Sequence, residues 1–77
     1  MPKIIIYTTP ACVYCKMAKA FFKEKNVAYE EKDVAVNAAA REEMLAKSGQ
    51  MGVPVIAIDE KIVVGFDKEK ISGLIGI

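Results

Sequence analysis

The chain has 77 residues, a length that holds one domain (residues 1–77) and a modest core burying roughly 60% of the unfolded chain's surface. It is 53% apolar, and 11 basic residues against 10 acidic ones leave a net charge of +1, which argues against disorder and excludes a basic nucleic-acid footprint. Histidine is absent, which excludes His-based general-base catalysis, Cys–His nucleophile pairs and histidine-containing zinc sites, so any chemistry falls to thiols or carboxylates.

Ile4 to Tyr7 is a continuous β-branched and aromatic run, as expected of a strand buried on both faces of a sheet. Thr8-Thr9-Pro10-Ala11 breaks it. From Cys12 the period becomes helical, with Val13, Met17, Phe21 and Phe22 expected on the core stripe and Lys16, Lys19 and Lys23 on the other side, ending near Lys25-Asn26. Val27 to Val34 alternates loosely and reads as a second strand. Asn37 can cap a helix over Ala38–Lys47, with Met44 and Leu45 on its buried face and Gly49 as a left-handed C-terminal cap. Val53 to Ile58 reads as a strand, Asp59-Glu60 as a turn, and Lys61 to Val64 as the strand returning antiparallel. Asp67 can cap a last short helix with Ile71, Leu74 and Ile75 on one face. The order is βαβαββα, a right-handed parallel crossover followed by a hairpin.

After Met1-Pro2-Lys3 the first apolar run is too short for a secretory leader, and no stretch approaches a membrane span. A cytoplasmic protein is expected, and there a cysteine pair stays reduced unless it is catalytic or metal-bound. The pair is Cys12 and Cys15, two residues apart, in the positive part of the chain. Residues 1–26 hold five lysines and one glutamate, whereas residues 27–77 hold six basic and nine acidic side chains. That excess favours anionic partners.

Two cysteines without histidine fall short of a four-ligand zinc site, and C-x-x-C beside a βαβ pattern reads as a thioredoxin-like redox motif. At a helix start, Cys12 meets backbone N–H groups without intrahelical partners and the positive end of the helix dipole, and Lys16 stands one turn on. All three favour thiolate over thiol. Cys15 lies on the same face, deeper in the helix. The spacing suits one nucleophile, Cys12, and one resolving thiol, Cys15. Pro54 inside an apolar strand belongs at the strand's start or on an edge. A trans bond is the commoner case there; a cis Val53-Pro54 bond would free Val53 backbone groups for an extended substrate.

Taken together, IYTTPACVYCKMAK, NAAAREEMLAKSGQMGVPVIAID and VVGFDKEKI resemble the glutaredoxins over essentially the whole chain. The resemblance implies an α/β thioredoxin fold, a four-stranded mixed sheet flanked by helices, with a cis Pro54, Cys12 as nucleophile and Cys15 as resolving cysteine. It also implies glutathione as co-substrate and no metal. The glutathione groove would comprise the Tyr14 ring, the Val53 backbone beside Pro54, and Phe66 with Asp67 at the γ-glutamyl end. Expected partners are glutathione and disulfide-containing proteins, met by a monomer, with no nucleic acid and no membrane.

Three positions depart from the family pattern. Val13 stands where C-P-Y-C has proline, Thr9 where a lysine commonly lies, and Val64 in place of the first glycine of G-G-x-D. Val13 and Gly65-Phe66 are similar to the redoxins that thioredoxin reductase recharges and that donate electrons to ribonucleotide reductase, and this is the alternative function. An iron–sulfur carrier is a third reading, disfavoured because such glutaredoxins usually lack the second cysteine that Cys15 supplies. Residue by residue, Asp67 is expected to cap its helix whether or not it binds anything. Phe66 serves either core or substrate, Tyr14 is expected to be exposed, and Met51 beside the V-P loop either cushions a substrate or packs.

Overall fold

The run IIIYT is apolar on both sides of its pleat. In the computed structural model, which describes residues 3–50 and 52–76, it forms the strand β1 (Ile4–Thr8), buried along its whole length. The elements that follow are α1 (Val13–Glu24), β2 (Glu30–Asp33), α2 (Ala38–Ser48), β3 (Val55–Ile58), β4 (Lys61–Val64) and α3 (Lys68–Ile75). The strands lie in the order β2-β1-β3-β4, with β2 parallel to β1 and the pairs β1–β3 and β3–β4 antiparallel. This is the expected βαβαββα chain and mixed sheet.

Alternation along β1 divides the core in two. Ile4 and Ile6 pack with Ala18, Phe21 and Phe22 of α1 and Ile71 of α3 on one face. Ile5 and Tyr7 pack with Ala40 and Met44 of α2 on the other. A strand buried on both faces must be apolar at successive positions, which is why this run lacks the polar alternation of a half-exposed strand.

The expected local signals are present. Asn37 Oδ1 accepts the Ala40 N–H at 3.0 Å, Gly49 takes the left-handed conformation (φ 72°) at the end of α2, and Asp67 Oδ1 accepts the Lys70 N–H at 3.1 Å at the start of α3.

Other expectations are corrected. The buried stripe of α1 is Cys15, Ala18, Phe21 and Phe22, whereas Val13 and Met17 are exposed. Ala18, Phe21 and Phe22 pack with Ile4 and Ile6 of β1, which sets the rotation of the helix and leaves Met17 outward. Leu45 is likewise exposed, since α2 meets the sheet through Ala40 and Met44 one turn apart. The second strand covers only Glu30–Asp33; Val27 and Val34 are buried as anchors outside it. Pro54 lies just before β3, where its missing N–H breaks no ladder bond.

Two registers and one hydrogen bond define one end of the sheet. Tyr7 pairs with Val55 and Val55 with Val64, so the end of β1, the start of β3 and the end of β4 lie side by side. The Gly65 N–H donates to the Pro54 carbonyl at 2.8 Å and continues this alignment past the strands. On the α2 face, the buried Tyr7 hydroxyl donates to Glu43 Oε1 at 2.8 Å, while Lys32 and Lys47 pair with the same carboxylate at 2.9 and 3.1 Å.

Hydrogen bonds from Lys32, Tyr7 and Lys47 hold the Glu43 carboxyl down at about 2. A carboxyl depressed in the folded state stabilises the protein above its unfolded value, and that contribution is lost as pH falls through the folded one. Because Glu43 is part-exposed, we expect on the order of 1 kcal/mol to be lost between about pH 5 and 2. Denaturant titrations of the parent and Glu43→Gln across that range check this, the variant showing a shallower acid slope.

Candidate active site

Thr9-Pro10-Ala11-Cys12 forms a tight turn in which the Cys12 N–H donates to the Thr9 carbonyl at 3.2 Å. Proline at the second position pre-sets the required φ. The turn delivers Cys12 to α1 in an extended conformation (φ −84°, ψ 113°) as the helix N-cap. Its Sγ accepts the Cys15 N–H at 3.1 Å, and its carbonyl accepts the Lys16 N–H at 3.3 Å. Sulfur thus stands where serine or aspartate oxygen commonly satisfies a first-turn donor.

The two thiols are unpaired and differ in setting: Cys12 is half-buried, while Cys15 is 0% exposed. Burial pushes the Cys15 thiol up to about 12, and its hydrogen bond with the Cys12 sulfur adds to this; the Thr9 backbone and the charge of Lys19 pull the other way. At neutral pH Cys15 is therefore a neutral thiol one turn behind the half-buried Cys12.

The remaining predicted residues are distributed around this point. Tyr14, between the cysteines, is 62% exposed, and Val13 beside it is 65% exposed. The Val53-Pro54 bond is cis and Pro54 is buried. The strand registers bring Val53-Pro54 and Gly65-Phe66-Asp67 to the end of the sheet from which the Cys12 turn departs. Phe66 is half-buried, its ring edge-on to Phe21 at 5.8 Å, so it serves the core in part. Asp67 is spent partly on capping α3. Beside them, Met17, Ala20, Phe21, Glu24, Phe66 and Lys68 line a shallow cavity of about 330 Å³. Met51 lies outside the described residues. Among the described residues no three histidine, cysteine or carboxylate side chains converge to hold a metal ion, and no helix is long and apolar enough to cross a membrane.

The glutaredoxin family model matches residues 4–63. This chain belongs to the glutaredoxin family. It is 49% identical over 72 residues to an uncharacterized glutaredoxin-like 8.6 kDa protein in the rubredoxin operon of Clostridium pasteurianum, covering 94% of this chain and 96% of that protein. It is 43% identical over 67 residues to glutaredoxin 3 of Escherichia coli K12, covering 87% and 81% respectively. Among solved structures, a mutant of the thioredoxin-like protein BC3987 superposes with a TM-score of 0.93 at 43% identity, covering 100% of this chain and 99% of that one. The fold is the thioredoxin fold, and Cys12-Val13-Tyr14-Cys15 fits the C-x-Y-C of a glutaredoxin-like thiol oxidoreductase.

One group near the cysteines escaped the sequence reading. Glu31 accepts from Lys19 at 2.7 Å and from the buried Thr8 hydroxyl at 3.1 Å. The helical period places Lys19 on the solvated side with Lys16 and Lys23; the signal for its role is its position four residues after Cys15, hence on the same side of α1.

The Cys15 environment has a measurable consequence for the reduced protein. A thiol raised in the folded state leaves stability intact below its unfolded value near 9 and erodes it as pH climbs toward 12. The denaturation midpoint of the reduced protein should fall over that interval, and Cys15→Ser should remove this part of the fall. Identical alkaline slopes for both proteins would contradict it.

Proposed function

We propose that this glutaredoxin-family oxidoreductase reduces protein disulfides and glutathione mixed disulfides through a reversible Cys12–Cys15 disulfide, with glutathione as co-substrate. The observation that carries the reading is the contrast between a half-buried cap cysteine whose sulfur accepts a first-turn N–H and a fully buried thiol one turn behind it. Cys12 attacks one sulfur of the substrate disulfide, a Cys12–substrate disulfide forms, and the other sulfur leaves as thiolate. Cys15 then surrenders its proton to solvent or the departing thiolate and attacks the Cys12 sulfur. The internal disulfide closes, the second substrate thiolate leaves, and two electrons have passed to the substrate. Two glutathione molecules restore the dithiol and become oxidised glutathione.

In this reading the exposed Tyr14 ring and the Val53 backbone beside the cis Pro54 line the glutathione groove. Phe66 and Asp67 take its γ-glutamyl end. The positive balance of residues 1–26, including the exposed Lys16, draws an anionic tripeptide.

A second reading, recharging by thioredoxin reductase, is favoured by Val13, Thr9 and Val64 at positions where glutathione-using relatives commonly differ, and by the likeness to a thioredoxin-like protein at 43% identity. Turnover of a glutathione mixed disulfide separates the two when run in parallel with glutathione plus its reductase and with thioredoxin reductase. Fast turnover with glutathione supports the first reading; turnover with thioredoxin reductase alone supports the second. In either case Cys15→Ser should still form a mixed disulfide with glutathione, and Cys12→Ser should be inert. Equal loss of that step in both variants would refute the assigned roles.

A further inference from the structure

We propose that Lys19 and Glu31 set how readily Cys15 attacks, Lys19 as the cation that supports negative charge on the Cys15 sulfur and Glu31 as the carboxylate that holds and tempers it. The inference rests on the roles given to Cys12 and Cys15 above. Both charged residues are positioning residues acting through Cys15.

The placement follows from the sheet register. Ile6 pairs with Glu31 in the parallel ladder, and Ile6 faces α1, so Glu31 projects to the α1 side. Thr8, two residues beyond Ile6, projects to the same side, is 2% exposed and donates its hydroxyl to Glu31 Oε2. From the helix, Lys19 stands one turn after Cys15 and reaches the same oxygen at 2.7 Å. The pair therefore spans β2 and α1, with Lys19 one turn beyond the buried Cys15 and the carboxylate anchored to β1 through a buried hydroxyl.

Next to Cys15 are the Cys12 sulfur, bonded to its N–H, the Thr9 backbone of the turn that follows β1 and, one turn on along α1, Lys19, which pairs with Glu31 of β2. Lys23 and Tyr29 bear on the pair itself. A cation one turn away lowers the free energy of a thiolate at Cys15, and a carboxylate bonded to that cation offsets part of the benefit. A purely structural ion pair would behave differently, because deleting either partner would do the same harm.

The opposite signs are the test. Reduced protein is mixed with 5,5′-dithiobis(2-nitrobenzoate), and the released nitrothiobenzoate is followed by stopped-flow absorbance. Cys12 attack releases the first equivalent and forms the mixed disulfide. Cys15 attack on Cys12 releases the second, closing the internal disulfide while the Cys15 proton passes to solvent. Lys19→Gln should slow the second phase relative to the first by about three- to tenfold at neutral pH, and Glu31→Gln should speed it by a similar factor. The double variant should return close to the parent. Any other pattern, including rates that fall together or stay within about twofold of the parent, overturns the inference. The parent and Cys15→Ser traces separate the two levels: a parent without a Cys15-dependent second phase would overturn the cysteine roles, and this inference with them.

Discussion

The hydrogen bond from the Cys15 N–H to the Cys12 sulfur, 3.1 Å long, joins the helix, the turn and the two cysteines in one contact. It makes a cysteine the cap of α1, which fixes the cap's extended backbone and leaves its sulfur at the edge of the molecule. The same helix geometry carries the second sulfur three residues on, over β1 and out of solvent. One turn of helix thus produces two thiols of opposite character from identical side chains. The contrast needs only a half-buried place at the helix start for one cysteine and full burial for the other.

Everything else in the fold holds that turn in place. β1 is clamped between two apolar layers, with α1 and α3 on one side and α2 on the other, so the segment leaving it is anchored at its root. Tyr7, Glu43 and two lysines tie the α2 side to the last residues of β1. The antiparallel pairing of β1, β3 and β4 brings the Val53-Pro54 and Gly65-Phe66 segments to the same rim. The elements most distant in sequence therefore meet at the point from which the cysteine turn springs.

Much of this was legible in the letters. Short-range signals read correctly: the apolar run of β1, Asn37 and Asp67 as caps, Gly49 as a left-handed stop and the hairpin around Asp59-Glu60. The rotation of each helix about its own axis was harder. Met17 and Leu45 are hydrophobic and suitably spaced, yet α1 turns Cys15, Ala18, Phe21 and Phe22 inward and α2 turns Ala40 and Met44 inward, and a hydropathy pattern undervalues the small residues among them. β2 misled in the same way, as its polar EEKD stretch pairs only along β1 while the apolar Val27 and Val34 lie outside it. The Lys19–Glu31–Thr8 group was invisible for another reason: its members come from three elements, and only the parallel register of β2 on β1 brings them together.

The working feature proposed for this glutaredoxin-family protein is chemical asymmetry between two neighbouring cysteines. Limited alkylation of the reduced protein with iodoacetamide at neutral pH, followed by mass mapping of the labelled peptides, tests it most directly. The account predicts label on Cys12, with Cys15 protected until the protein is unfolded. Labelling of both cysteines at comparable rates in the folded protein would contradict it.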